Sequence, residues 1–430
     1  MKKVILRAET LSNPEGDSMP TPWQTDMWFT SPWNFDDDVR SRIAFDAHPK
    51  LHDVTLRDGE QQAGVVFTRD DKIRIAEALA EVGVHRIEAG MPVVSRSDEQ
   101  AIRDIVKRLE KSETQVFSFA RCMVEDVRRA LDTGVKGIVM EVPSSTHIIE
   151  RAYRWEPARA IATSIDATRF AREHGLYVVF FPIDFSRAPL DWVLPMLKRV
   201  ATEGHMDALT IVDTFGGLAP HTVSYLIQRM RRVFPDTPFE VHFHDDFGMG
   251  VANTLMAMAA GCQVAHTSVT GIGERAGNCA YEELALAMKT MYDVDLGLKT
   301  EKFVAVSRLV QQLAGVCMPP NRCVVGDRLF DIESGIIVSW LRNCGAEFPT
   351  ELAPFRPELV GNAPARAVLG KGSGIDSIAF FLERLGIRAT ETQMAALLAE
   401  VKERSLREKR LLTAEEFDAL ARTLAAGSGA

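Results

Sequence analysis

The feature that most constrains the fold of this chain is a rhythm. From His52 onward, short apolar runs alternate with amphipathic stretches at close intervals. The strand-like runs are 52–58, 85–91, 115–120, 137–142, 177–183, 208–213, 239–245 and 264–270. The predicted helices between them are 69–82, 97–111, 124–133, 157–174, 189–203, 220–233, 249–260 and 281–291. Ile73, Ile75, Ala76, Leu79 and Ala80 in the first helix, and Val223, Leu226, Ile227 and Met230 in the sixth, recur at helical spacing. Gly83, Gly134, Gly175, Gly204 and Gly261 follow helix ends, where a left-handed C-cap is wanted. Repeated βα units predict an α/β fold with a parallel sheet, and eight of them predict closure as a (β/α)8 barrel.

A barrel of this kind collects its functional groups at the C-terminal strand ends. Those ends read Arg57 and Asp58, Glu88, Arg121, Glu141 with Ser144 and His147, Asp184 with Arg187, and Asp213 with Thr214. The last two strands add His242, His244, Asp245 and Asp246, then Glu274 and Asn278. In His52–Gln61, Arg57, Asp58 and Gln61 share one mouth around an Asp-Gly turn, which alone is only a turn signal. His242 and His244 lie two apart on a strand and so face the same side. With Asp58 they make a two-histidine, one-carboxylate set that leaves coordination positions open for a metal's other ligands. Asp245 or Asp246 is placed to orient an imidazole from behind. In the Gly271–Asn278 loop, Asn278 either adds a carbonyl oxygen to this set or caps the next helix. The loop lacks the spacing and lysine of a P-loop.

Outside this core, residues 1–48 predict an extended arm, with Trp23, Trp28 and Trp33 as anchors on its own domain or a neighbouring subunit. Residues 49–295 form the barrel, and 296–430 a small α-rich accessory domain with helices over 302–315, 391–407 and 413–425. Thr413 and Glu416 make a capping box, and Gly427–Ala430 a frayed tail. A net charge of −9 without a basic stripe excludes a general nucleic-acid binder. The six cysteines include no C-x-x-C pair, which predicts reduced thiols and a cytoplasmic location. No apolar run reaches the ~20 residues of a membrane span, and the one in MKKVILRAET is too short for a signal peptide.

Three motifs together carry a resemblance: Asp53-x-Thr55-Leu56-Arg57-Asp58-Gly59-x-Gln61, His242-x-His244-x-Asp246-x-Gly248, and Gly271-x-Gly273-Glu274-Arg275-Ala276-Gly277-Asn278. They resemble the DRE-TIM metallolyases, which include 2-isopropylmalate, homocitrate and citramalate synthases and 3-hydroxy-3-methylglutaryl-CoA lyase. The likeness covers residues 50–295 and runs more loosely through Leu369–Gly374. The Gly-Glu-Arg-Ala-Gly-Asn loop is similar to the synthase branch, where the lyase branch has a Gly-Gly-Cys loop.

The resemblance implies a divalent cation (Mg, Mn or Zn) on Asp58, His242, His244 and Asn278. It implies an acyl-CoA co-substrate, with acetyl-CoA first in line, and a 2-oxo acid whose carboxylate meets Thr214. Arg57, Gln61 and Glu88 are the expected catalytic residues, and Arg121, His147 and Thr214 the expected substrate-binding ones. The implied reaction is attack of an acyl-CoA enolate on the 2-oxo acid carbonyl, followed by thioester hydrolysis; the arm and the accessory domain, for their part, suggest a homodimer. Lyase-type cleavage and a non-catalytic metal-binding barrel are the alternatives. Two departures stand out. A glutamate usual in the synthases falls at Ile183, beside Asp184, and two accessory-domain histidines fall at Ile332 and Ile337. Asp331, Glu333, His147 and Asp184 are the replacement bases that the sequence offers. With the chain ending at residue 430, feedback control through a further leucine-binding domain is not expected.

Overall fold

The computed structural model describes residues 21–345 and 347–426. Eight parallel strands close into one barrel in the order β1 to β8. They are β1 (Lys50–Asp53), β2 (Arg86–Glu88), β3 (Gln115–Arg121), β4 (Gly137–Pro143), β5 (Tyr177–Ile183), β6 (Ala208–Asp213), β7 (Phe239–Phe243) and β8 (Val264–Thr267). β8 returns to β1 with Leu51 opposite Ala265 and Asp53 opposite Thr267, and this pairing closes the ring.

After a single helical turn in the arm, α1 (Asp37–Arg40), the ring helices are α2 (Arg69–Val82), α3 (Arg96–Arg108), α4 (Val124–Thr133) and α6 (Pro157–Glu173). The ring continues with α7 (Leu190–Glu203), α8 (Pro220–Val233), α9 (Gly250–Met258) and α10 (Tyr281–Tyr292). An extra helix, α5 (Thr146–Arg151), sits in the loop after β4. Helix α2 shows how sequence makes such an element. Thr68 and Asp71 form a reciprocal capping box, Ile73, Ile75, Ala76 and Leu79 are buried, and Gly83 ends the helix at φ +98°. Each buried Ile or Leu contributes about 1.5–3 kcal/mol relative to exposure, so the apolar stripe, more than helix propensity, fixes the ring.

Two expectations need correction. The first strand ends at Asp53, because the Asp53 carboxylate accepts from the Thr55 amide (2.9 Å) and hydroxyl (3.1 Å) and turns the chain. Arg57 and Asp58 therefore stand on a turn above the strand. Gly204 is not left-handed (φ −104°, ψ −131°). Glycine suits it because a Cβ would lie 2.6 Å from Thr168 Oγ1 and 2.9 Å from the Val200 carbonyl.

The described part of the arm packs on its own barrel. Trp28 and Phe45 lie against the core, the Thr30 hydroxyl donates to the Thr290 carbonyl (2.9 Å), and Arg40 Nη1 to that of Tyr292 (2.8 Å). Trp33 is 77% exposed and anchors nothing among the described residues. Residues 1–20 of the arm and the tail Gly427–Ala430 lie outside the described residues.

Beyond the barrel come α11 (Phe303–Ala314), α12 (Gly335–Cys344), α13 (Ile375–Leu385), α14 (Glu391–Glu408) and α15 (Ala414–Ala426). A two-residue parallel pair, β9 (Asp331–Ile332) with β10 (Arg366–Ala367), joins them. Helices α12 and α13 escaped the sequence reading because glycines surround them. The Thr413–Glu416 capping box is present, with the Thr413 amide donating to Glu416 (2.8 Å) and the Glu416 amide to Thr413 (3.2 Å).

Candidate active site

Charged side chains buried in the barrel must be paired, and here the pairing fixes the geometry. Arg57 donates from Nε to Glu88 and from Nη1 to Asp58 Oδ2 (2.7 Å) and Gln61 Oε1 (3.2 Å). Its Nη2 is buried and has no hydrogen-bond partner. The guanidinium carbon lies 4.1 Å from the Phe119 ring centroid, and a phenyl face there shuts out water and supports the cation. Burial alone would raise Glu88, but Arg57 and His52 overcome it and hold the carboxyl at about 2.

The Asp58 carboxylate is the meeting point. Its Oδ2 lies 3.5 Å from His242 Nε2 and 3.8 Å from His244 Nε2, while its Oδ1 accepts from Asn278 Nδ2 (2.8 Å) and the Glu274 amide (3.2 Å). The ligand atoms of Asp58, His242 and His244 all lie within 4.8 Å of one another, and all three residues are buried. These residues fit a divalent cation on three counts. Burial depresses His242 to about 3, so its imidazole is neutral, as a ligand must be. His244 Nδ1 lies 3.1 Å from the Gly277 carbonyl, which leaves Nε2 its lone pair on the Asp58 side. Asn278 Oδ1 is buried with no partner, an orphaned acceptor beside the cluster. The loop backbone is built close around these groups: a Cβ on Gly273 would lie 2.2 Å from Asn278 Nδ2 and 2.8 Å from Asp58 Oδ1.

Arg57, Asp58, Gln61, Glu88, His242, His244 and Asn278 thus form one contiguous cluster, joined by hydrogen bonds and by the contacts of Asp58 Oδ2 with both imidazoles. A second group flanks it. Asp184, at φ +62°, donates its amide to Thr214 Oγ1 (2.8 Å), and its carboxylate takes Ser145 (2.6 Å), Arg187 (2.6 Å) and His147 (3.0 Å). Thr214 and His147 therefore sit together, and the Thr214 hydroxyl hydrogen is left to donate. Arg121 pairs in register with Glu141 of β4, and its half-exposed guanidinium is bidentate on Asp126 (2.7 and 3.0 Å). Asp246 pairs with Arg275 (2.8 Å) and Asp245 accepts from the Gly250 amide (2.6 Å), so neither orients an imidazole. Asn278 caps no helix, since the N-cap of α10 is Ala280. Asp331 is paired with Arg366 (2.7 Å) and Glu333 accepts from the Gly372 amide (2.7 Å), so both are engaged within the C-terminal region.

One layer deeper lies a buried polar group that the sequence reading passed over. His52 stacks on His266 (4.5 Å between centroids), His266 pairs with Glu240 (2.8 Å), and Glu240 with Arg86 (2.7 Å). His52 joins this layer to the site above through Glu88 (3.1 Å). Its signal was present in β7, where Glu240 precedes His242 and His244 by steps of two and so shares their face. His52, Glu240 and His266 can also approach a common ion, but Arg86 and Glu88 already satisfy the carboxylate and one imidazole.

Residues 48–310 match the model of the HMGL-like family. The chain is 38% identical over 352 residues to the homocitrate synthase of Methanopyrus kandleri, covering 82% of this chain and 86% of that protein. It is 35% identical over 354 residues to the (R)-citramalate synthase of Methanocaldococcus jannaschii, covering 82% of this chain and 70% of the relative. Among solved structures, the HMG-CoA lyase of Bacillus subtilis superposes with a TM-score of 0.58 at 20% identity, covering 64% of this chain and 97% of that one. That last likeness is one of fold.

Proposed function

The chain belongs to the HMGL-like family, and we propose that it is an acyltransferase that condenses an acyl-CoA, acetyl-CoA first, with a 2-oxo acid. The relatives above are named as synthases of this condensing type. The observation that carries the reading is the direct bond from Arg57 to Asp58 within the Asp58, His242, His244 set. It puts a fixed cation beside a set of metal ligands, in a mouth lined by Phe119 and Phe181.

Asp58, His242 and His244 would hold the divalent cation, with Asn278 Oδ1 as a further donor. When bound, that cation supplies Lewis-acid polarisation of the 2-oxo acid carbonyl and a template for its carboxylate. Thr214 donates its hydroxyl to the carboxylate. Arg57 Nη2, buried and unpaired, is the donor available to charge developing on the thioester oxygen as the acyl carbon becomes an enolate. One preorganised donor of this kind is worth about 3–4 kcal/mol. Gln61 and Glu88 fix the guanidinium by occupying its other nitrogens. No helix among the described residues is long and apolar enough to cross a membrane.

The test is thiol release from acetyl-CoA with a panel of 2-oxo acids in the presence of Mg, Mn or Zn. Release that depends on both the metal and one 2-oxo acid is the expected result. Silence across the whole panel overturns the reading.

A further inference from the structure

Eight acidic side chains stand at the C-terminal strand ends, and their partners sort them. Asp58 and Glu88 are held by Arg57, Asp184 by Arg187, Ser145 and His147, and Asp213 by Ser186 and the Leu218 amide. Asp245 is held by the Gly250 amide, and Asp246 and Glu274 by Arg275. The eighth, Glu141 at the end of β4, has no hydrogen bond or ion pair to its carboxylate among the described residues, and it is only half-buried. A free carboxylate in a mouth where every other one is tied down is open to something that is not protein.

Its position is set by strand register. Glu141 pairs with Phe181 of β5, and neighbouring residues of parallel strands share a face. The Phe181 ring lies 5.0 Å from that of His242 and 5.9 Å from the Arg57 guanidinium carbon. Glu141 is thus on the inward face, on the same side as the Arg57 and His242 cluster. It lines a cavity of about 270 Å³ together with Arg57, Gln61, Phe119, Gly90 and Met91. That cavity has the Arg57 guanidinium and the unpaired Glu141 carboxylate in its wall together with apolar Phe119 and Met91, while Lys72, which also lines it, is held by Glu60 (2.6 Å) and Asp98 (2.5 Å). Such a lining suits the acyl end of a thioester, whose oxygen needs a cation and whose α-carbon needs a base.

We propose that Glu141 is the general base of the condensation, taking the α-proton of the acyl-CoA thioester; this rests on the acyl-CoA reading above. The α C–H bond breaks, and its proton passes to a Glu141 oxygen. Its electron pair becomes the enolate C=C bond while the thioester C=O pair moves onto oxygen, facing Arg57. As the enolate C=O re-forms, the α-carbon bonds to the keto carbon of the 2-oxo acid, whose C=O pair becomes an alkoxide. The proton on Glu141 returns to that oxygen through solvent.

The environment supports the role. Burial, opposed by Arg57 and Arg121 and aided by Asp126 and Glu88, leaves the Glu141 carboxyl raised to about 7. Tyr153 is a further ionisable neighbour, its own hydroxyl raised to about 12 by burial and by Glu141, and Lys72, Glu60 and Asp98 line the same cavity. A base whose proton affinity lies near the working pH transfers protons most effectively. Ile183, one strand over, offers no such group.

The experiment compares wild type, Glu141→Gln and Glu141→Asp in the full chain, with Mn²⁺, acetyl-CoA and the 2-oxo acid that wild type accepts. It follows thiol release and exchange of the acetyl methyl protons with D₂O. Glu141→Gln should lose about 10²- to 10⁴-fold in kcat. It should lose methyl exchange in parallel, with the KM for the 2-oxo acid unchanged and an unfolding midpoint no lower than that of wild type. Glu141→Asp should recover part of the rate and move the acid limb of the pH profile. Methyl exchange in Glu141→Gln within about tenfold of wild type overturns the assignment while leaving the condensation intact. If Glu141→Gln fails to fold, an unmoved acid limb in Glu141→Asp at full rate overturns it equally. Silence of wild type with every 2-oxo acid removes the condensation reading and this assignment with it.

Discussion

Asn278 donates from Nδ2 to Asp58 Oδ1 at 2.8 Å, and its own Oδ1 is left buried and without a partner. An unpaired buried acceptor costs about 1–3 kcal/mol, a cost that a cation held by Asp58, His242 and His244 would offset.

The first prediction follows from that cluster. Asp58→Asn, which replaces a charged oxygen by an amide, should abolish Mn²⁺ binding measured by calorimetry or electron paramagnetic resonance. Asn278→Ala should weaken it about 10- to 100-fold, as loss of a supporting group does. Dialysis against a chelator should silence the enzyme, and Mn²⁺ or Mg²⁺ should restore it. Unchanged Mn²⁺ affinity in Asp58→Asn would remove the metal assignment.

Arg57 separates binding from chemistry. Arg57→Lys keeps a charge but loses the planar fork that joins Glu88, Asp58 and Gln61 at once. We expect kcat to fall about 10²- to 10³-fold, the effect of one lost oxyanion donor. Mn²⁺ affinity should change little, because Asp58 retains its bonds from Asn278 and Glu274. A rate within about threefold of wild type would show that the guanidinium does not meet developing charge.

The barrel and the upper half of this cluster were legible in the sequence for physical reasons. Strand and helix periodicities are local, and the ring's helix bounds follow from caps such as Thr68 and Gly83. His242 and His244 share a face by the two-residue repeat alone. What stayed hidden depends on partners distant in sequence. Glu141 read as one polar strand end among many, because only the three-dimensional pairing shows that its seven neighbours are taken. Arg121 read as a site group, and its ion pair with Asp126, five residues on, came to light only in the structure. The Arg86, Glu240, His266 layer joins three strands, and no local pattern marks it.

Gly273 tests how closely the loop must approach the site. Gly273→Ala places a methyl 2.2 Å from Asn278 Nδ2 and 2.8 Å from Asp58 Oδ1, closer than side-chain contacts allow. Either the loop or the Asn278 to Asp58 bond must shift. The expected result is a loss of Mn²⁺ affinity of at least about tenfold, the scale of a displaced supporting group. The far-UV circular dichroism should stay unchanged, since the barrel strands lie below the loop. Wild-type affinity would mean that the loop yields without disturbing the cluster.

Glu282 carries a prediction for stability. Its side chain is fully buried on α10, with Oε2 accepting from the Thr270 amide (3.1 Å) and Oε1 unpaired. Burial, with Glu283 adding repulsion, raises its carboxyl from 4.5 to about 8. Between those values the native chain holds a proton that the unfolded chain has released, so stability falls as pH rises. This contribution is complete below pH 4.5 and gone above about pH 8. Its slope is at most about 1.4 kcal/mol per pH unit. Glu282→Gln, neutral at every pH and nearly isosteric, removes that dependence. Asp53 and Glu141 are raised in the same direction, to about 7 each, so wild type alone cannot isolate Glu282. Urea unfolding of both proteins from pH 5 to 8 does so by difference. The stability of Glu282→Gln relative to wild type should rise steadily across that range. Parallel curves would mean that Glu282 is ionised in the native state and that a water or ion satisfies Oε1.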